Sequence, residues 1–279
     1  FYRASAKMGA GICSNIVKNG IDVVVYDINP ANVQKFVDMG ASSAATVKEL
    51  AAQVDVCITC VPMPKDAKGV LLGPDGVFET PEGGVHFDLS TLDIETVVML
   101  EAEAAKLGKK YLVIPMGKGP AFAADGTCPL FGGGDKATYD KYEECLLKKM
   151  GKPAYIGDVK AGCALKLIQN LMGMLNAVCS ESIKLAKLAN IPKEQFIEQI
   201  SNSGAFSFQF KNTASGTFDE DFEHPVFTVN LAFKDVRLGI EMCESFGQRV
   251  PMMSRAREVF AATAEKYGEE NFTATFKML

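Results

Sequence analysis

The chain has 279 residues, 48% of them hydrophobic, and a formal charge of -5 at neutral pH, enough to bury a large core and, by length, to divide into two domains. The mild acidity argues against nucleic acid as a main partner, and the lack of any apolar run near the ~20 residues that span a bilayer argues against a membrane protein. Nothing resembles a secretion signal, and the eight cysteines are scattered through mostly apolar segments, the usage expected of reduced core thiols in a cytoplasmic protein.

From Ile12 to about Pro115 short β-rich runs alternate with helical ones, the signature of a parallel sheet with crossover helices. The runs Asp22 to Asp27, Val54 to Val61, Val85 to Leu89 and Tyr111 to Pro115 predict buried strands, with further ones near Pro129 to Phe131 and Ala154 to Ile156. Apolar spacing predicts helices over Ala31 to Asp38, Ile94 to Leu107 and Lys136 to Met150. After Gly157 helical patterns follow one another over 160–189, Pro192 to Ser201, Val229 to Phe246 and Pro251 to Tyr267, with hardly a strand signal between them. The expected architecture is an α/β domain over 1–158 followed by an all-α domain over 159–279.

Cys57 and Cys60 are the only close cysteine pair, and in a strand residues three apart point to opposite faces, so the pair reads as core rather than as a redox or zinc motif. His86 and His224 stand far from any Ser or Cys signature. No triad hydrolase and no metal site is expected.

An α/β domain of this kind binds phosphate where a glycine-rich turn meets a helix N-terminus. Met8-Gly9 aligns with the end of a G-x-G-x-x-G pattern, which leaves Lys7, Met8 and Gly9 as the candidate phosphate turn but puts Ala4 and Ala6 where the first two glycines belong. A truncated or misassigned start and a loss of tight binding are both open readings of that departure. Asp27 ends the second strand about twenty residues on, where a carboxylate accepts hydrogen bonds from an adenosine ribose. It would repel a 2′-phosphate, and Ile28-Asn29-Pro30 offers no arginine, so NAD is expected over NADP; the competing reading is an Asp that merely turns the chain. Three further turns add polar groups at the carboxyl edge of the sheet: Val61-Pro62 with Asp66, Asp88-Leu89-Ser90-Thr91, and Pro115 to Gly119. Ser90-Thr91 could equally cap the next helix, while Gly117 and Gly119 free the backbone to approach an anion and Lys118 adds positive charge.

The stretch from Ala161 to Asn176 is apolar almost all round, as in a buried helix. Lys166, Gln169, Asn170 and Gly173, at i, i+3, i+4 and i+7, form one polar stripe on it. A lone lysine there could snorkel to the surface; two amides beside it point instead to a site that grips a small oxygenated molecule.

Together these segments resemble the β-hydroxyacid dehydrogenase family, which includes 3-hydroxyisobutyrate, tartronate semialdehyde and sulfolactaldehyde reductases. Asp88-x-Ser-Thr91 is similar to its D-x-S-T segment, Pro115 to Gly119 with Gly126-Thr127 to its substrate loop, Gly162-x-x-x-Lys166-x-x-Gln-Asn170 to its catalytic helix, and Lys234-Asp235 to its late K-D pair. The resemblance covers nearly the whole chain and implies a Rossmann-like domain, a helical domain closing over it, and an NAD-dependent oxidoreductase acting on a short acidic aldehyde or the matching hydroxy acid. It implies Lys166 as general acid and base, its pKa lowered toward neutrality by an apolar helix. Asn170, with Gln169, would orient substrate, Ser90 and Thr91 would hold substrate or nicotinamide, and Lys234 would meet the cofactor or the acid group. Val61, Pro62 and Asp66 would line the cofactor path. A homodimer or homotetramer formed through the helical domain is expected as well. Three departures stand out: Gln169 replaces an asparagine, Ile94 a proline, and Gly117-Lys118 a Ser-Gly pair. The basic residue resembles the sulfolactaldehyde branch and predicts a strongly anionic substrate group, sulfonate or a second carboxylate. The alternative is a catalytically silent protein of this fold that binds a ligand or partner; reduction of C=N bonds is disfavoured by Lys166 itself.

Overall fold

The structure, a computed structural model, describes residues 2–3, 7–80 and 84–279. In chain order it runs β1 (Tyr2–Arg3), α1 (Met8–Lys18), β2 (Val24–Val25), α2 (Pro30–Val37), β3 (Ser42–Ser43), α3 (Val47–Ala51), β4 (Val56–Cys60), α4 (Pro64–Leu72), β5 (Val85–Asp88), α5 (Ile94–Lys106), β6 (Lys110–Val113), α6 (Pro120–Ala124), β7 (Pro129–Gly133), α7 (Lys136–Tyr142), α8 (Lys148–Met150) and β8 (Lys152–Gly157). Helices follow: α9 (Val159–Gly173), α10 (Leu175–Leu188), α11 (Lys193–Ser201), α12 (Phe208–Phe218), α13 (Val229–Ser245) and α14 (Pro251–Tyr267). The chain forms two compact units, Phe1–Lys166 and Leu167–Leu279, which meet within α9.

In the first unit six strands form one sheet in the order β1-β4-β5-β6-β7-β8, and β2 and β3 pair in parallel beside it as a second. The register Thr59↔Asp88 and Asp88↔Val113 brings the carboxyl ends of β4, β5 and β6 level, which collects the turns that follow them at one edge. Of the runs predicted as buried strands, those that become β4, β5 and β6 are buried, with Ile58, Phe87 and Leu112 packing with Ile12 and Ile16 of α1 in a single core, whereas the run around β2 is half-buried and β8 alternates between exposed and half-buried positions. In the second unit Leu171, Ile183, Phe210, Phe222, Val236, Phe260 and Phe276 form the core between helices, and α12 and α13 begin on capping hydroxyls, Ser207 and Thr228.

Periodicity does not foresee everything. The sheet is mixed: β7 runs antiparallel to β6 before β8 returns parallel to β7. The helix expected over 160–189 is two, because after Gly173 the chain tightens into i→i+3 bonds, Met174 N–H to Leu171 O and Ala177 N–H to Met174 O. The helix expected over Lys136 to Met150 contains a π turn at Glu143–Leu147. On α9 the stretch that reads as apolar all round has an exposed side, with Met172 69% and Ile168 44% accessible. Among the described residues no helix is long and apolar enough to cross a membrane.

Candidate active site

The carboxyl edge of β5 is built on a buried carboxylate. Asp88, fully buried, accepts the Ser90 N–H at 2.9 Å and the Tyr111 hydroxyl at 3.2 Å. The hydroxyls of Ser90 and Thr59 hydrogen-bond the same carboxylate. Burial pushes the Asp88 pKa up and these donors pull it back. With the Thr59 hydroxyl donating to Asp88, the 3.0 Å contact between Thr59 Oγ1 and His86 Nε2 makes His86 the donor. Burial pushes the His86 pKa down to about 3, which keeps the ring neutral, and it stacks on Tyr111. Helix α5 is capped by Asp93, which accepts the Thr96 N–H at 2.7 Å, so Ser90 and Thr91 are not its cap.

Lys166 reaches this edge through a close approach of backbones. A Cβ on Gly162, one turn before Lys166, would stand 2.9 Å from Gly133 N and Val113 Cγ2, and one on Gly133 would stand 2.4 Å from Asp158 O. Two facing glycines let the first turns of α9 lie against the end of β7. Lys166, itself buried, then lines a small recess with Ser90, Leu92, Val97, Val113, Pro115 and Cys163. Of the polar side chains in that lining, the Cys163 thiol donates to Leu92 O at 3.2 Å and is pushed up to about 12 by burial, and the Ser90 hydroxyl is taken by Asp88 and by the Val61 N–H at 2.9 Å. Lys166 is the remaining group with a proton to exchange.

Asp27 lies two residues beyond the end of β2, 8% exposed, and accepts the Asn29 N–H at 2.8 Å. It thus makes the turn that the competing reading required, yet it also lines a second small recess with Cys13, Val25, Tyr26, Asn32, Val33 and Phe36. Gly9 is buried in the first turn of α1, Met8 is half-buried and Lys7 exposed; Ala4 and Ala6 lie outside the described residues. Pro62 and Asp66 flank the start of α4, where the carboxylate of Asp66 lies in the first turn. A carboxylate beside an apolar-walled recess and a helix opening on Met8-Gly9 fit the ribose and phosphate of a dinucleotide.

Lys118 is exposed and takes a left-handed backbone conformation, φ 58°, which a residue with a Cβ adopts only at a cost. Its ammonium lies 4.4 Å from the centre of the Phe122 ring. It does not line the Lys166 recess; the charges of Lys118 and Lys166 both pull down the Cys128 thiol pKa, which burial raises to about 11. Gly117 donates its N–H to Pro129 O at 2.8 Å and Gly119 begins α6.

The second unit holds the other part of the polar stripe. Asn170 donates from Nδ2 to Asp235 Oδ2, and the other oxygen of Asp235 meets the Lys234 ammonium at 2.8 Å, all three side chains being buried. A glycine again makes this possible: a Cβ on Gly239, one turn after Asp235, would stand 2.7 Å from Leu171 Cγ, so α13 can pass α9 closely enough for the pairing. Gln169 Oε1 is buried without a hydrogen-bond partner among the described residues, an acceptor whose desolvation a hydroxyl would offset.

Residues 5–164 match the family model described as the NAD binding domain of 6-phosphogluconate dehydrogenase, and residues 161–279 that described as NAD-binding of NADP-dependent 3-hydroxyisobutyrate dehydrogenase. The chain belongs to the β-hydroxyacid dehydrogenase family. Its fold is that of a 3-hydroxyisobutyrate dehydrogenase from Salmonella typhimurium, with a TM-score of 0.91 at 24% identity over 100% of this chain and 98% of that one. Among curated relatives it is 30% identical to the cytokine-like nuclear factor N-PAC of Xenopus tropicalis over 97% of the chain and 51% of that protein. It therefore spans about half the length of that relative. It is 27% identical to the chloroplastic glyoxylate/succinic semialdehyde reductase 2 of Arabidopsis thaliana over 98% of the chain and 76% of the relative.

Within this β-hydroxyacid dehydrogenase fold, sequence reasoning found the motifs but gave no role to two of their acids. The motifs D-x-S-T and K-D by themselves assign no role to Asp88 or Asp235. The signal was present for Asp88: His86 and Asp88 alternate in an otherwise apolar strand and so share one face, where buried polar groups must find partners.

Proposed function

We propose that this chain is an NAD-dependent reductase of a short acidic semialdehyde, or dehydrogenase of the matching β-hydroxyacid or hydroxy-sulfonate. The observation that carries this reading is the recess in which Lys166 is the one lining group with a proton to exchange. NADH, when bound, supplies the hydride that reduces the carbonyl carbon. Asp27 would hold the adenosine ribose, the turn at Lys7, Met8 and Gly9 the phosphates, and Val61, Pro62, Asp66, Thr91 and Lys234 the remaining length. Lys166 donates a proton to the carbonyl oxygen as the alcohol forms and takes one back in the oxidative direction. Asp235 fixes the carboxamide plane of Asn170, so that Asn170, with Gln169, orients the substrate. Ser90 lines the recess; Thr91, Gly117 and Gly119 border the substrate, with Lys118 drawing in its acid group.

Steady-state kinetics with NADH and NADPH on a panel of aldehydes tests this. NADH is expected to be preferred, because the carboxylate of Asp27 disfavours a 2′-phosphate. Sulfonate- or carboxylate-bearing aldehydes should outcompete neutral ones, with Lys118→Ala removing about tenfold of that preference, the scale of one charge-assisted contact. A preference for neutral aldehydes that Lys118→Ala leaves untouched would sink the anionic-substrate reading. Absence of both NADH binding and turnover would favour a silent protein of this fold.

The chain is further proposed to self-associate through α9 and α10. Met172, Leu175, Val178, Leu185 and Leu188 are all exposed, Leu188 at 70%, a run of apolar surface that a second copy would cover. Light scattering should report a dimer or larger, and Met172→Asp with Leu185→Asp should yield monomer. A monomeric wild type would overturn the assembly.

A further inference from the structure

We propose that Ser90 is a positioning residue: its hydroxyl is a clasp between the turn after β4 and the turn after β5, and it acts on the dinucleotide by fixing Val61 rather than by touching the ligand. Val61 follows β4 directly and donates its N–H to Ser90 Oγ at 2.9 Å. Ser90 in turn donates its own N–H to Asp88 at 2.9 Å, and its hydroxyl proton goes to the same carboxylate. A serine hydroxyl has one proton to give, so its donor capacity is spent within the protein. Asp88 does not move to accept these bonds, because Tyr111 and Thr59 hold it from the neighbouring strands β6 and β4.

The consequence is mechanical. Val61 N–H belongs to a strand end whose next residue, Pro62, has no N–H, so the Ser90 oxygen is what satisfies the backbone as it leaves the sheet. Without it a buried donor is orphaned, and the Val61-Pro62 turn is free to shift. One side chain thereby sets two of the turns at the carboxyl edge in a fixed relation, with Asp88 as the anchor. The effect on the dinucleotide rests on the function proposed above; the clasp does not.

Amide exchange separates the two. Read residue by residue by NMR, the Val61 amide should exchange about tenfold faster in Ser90→Ala, the scale of one hydrogen bond, while the rest of the sheet keeps its protection. Ser90→Thr, which retains the hydroxyl, should stay close to wild type; Asp88→Asn should loosen Val61 in the same way should Ser90→Ala not fold. In a wild type that binds NADH, Ser90→Ala should raise the KM for the dinucleotide more than it lowers kcat. Unchanged exchange at Val61 in Ser90→Ala, or equal loss in Ser90→Thr, overturns the clasp. Faster exchange with an unchanged dinucleotide KM overturns its action on the ligand. A wild type that binds no dinucleotide sinks the dehydrogenase reading, and the exchange data then decide the clasp alone.

Discussion

Lys166→Ala is expected to lower the turnover of an acidic semialdehyde by about a thousandfold, the middle of the range that a positioned general acid supplies, equivalent to about 4 kcal/mol of barrier. The size follows from the lining of the recess. Ser90 has spent its proton on Asp88 and its acceptor on Val61, and Cys163 holds its thiol proton against Leu92 O with a pKa pushed up to about 12. Neither can take over when the ammonium is removed. Lys166→Arg should fare no better, since a guanidinium keeps its protons at any working pH and presents a planar fork where the recess holds a point charge. Dinucleotide affinity, measured by titration calorimetry, should change little in Lys166→Ala, because the recess of Asp27 is a separate part of the first unit. Retention of more than about a tenth of wild-type turnover would remove Lys166 from the role of proton donor.

The alternation of β-branched runs with helical periods made the architecture legible, because buried strands and amphipathic helices leave different periods in the chain. The stripe of Lys166, Gln169 and Asn170 was legible for the same reason. What could not be read is what those residues touch. Asn170 and Asp235 are 65 positions apart and Ser90 and Val61 29 apart; no local pattern records such pairings. Strand direction is also silent in composition, so nothing in the run Pro129 to Phe131 tells that β7 lies antiparallel to β6. Met172 and Ile168 read as buried because apolar character does not say what covers it. The Lys118 backbone shows the converse, a residue whose left-handed φ would have predicted glycine.

Gly162→Ala is the sharper test of how the fold places the lysine. The new methyl group would enter at 2.9 Å from Gly133 N and 2.9 Å from Val113 Cγ2, with Gly133 Cα at 3.0 Å. Two of these three atoms are backbone and cannot rotate away, so α9 has to lift from β7. Overpacking of this kind costs about 1–3 kcal/mol of stability, seen as a lower melting temperature. The larger effect should be on catalysis. Gly162 and Lys166 are one helical turn apart, so a displacement at the contact is carried to the ammonium, and a misplacement of about 1 Å costs on the order of a hundredfold in rate. Gly69→Ala is the control: its Cβ meets nothing within 4 Å, and alanine in a helix interior should instead stabilise by up to about 1 kcal/mol. A Gly162→Ala enzyme that melts lower yet turns over at the wild-type rate would show that the glycine serves stability alone. Loss of turnover in folded protein, with dinucleotide binding retained, would show that the contact between α9 and β7 sets the position of the proton donor.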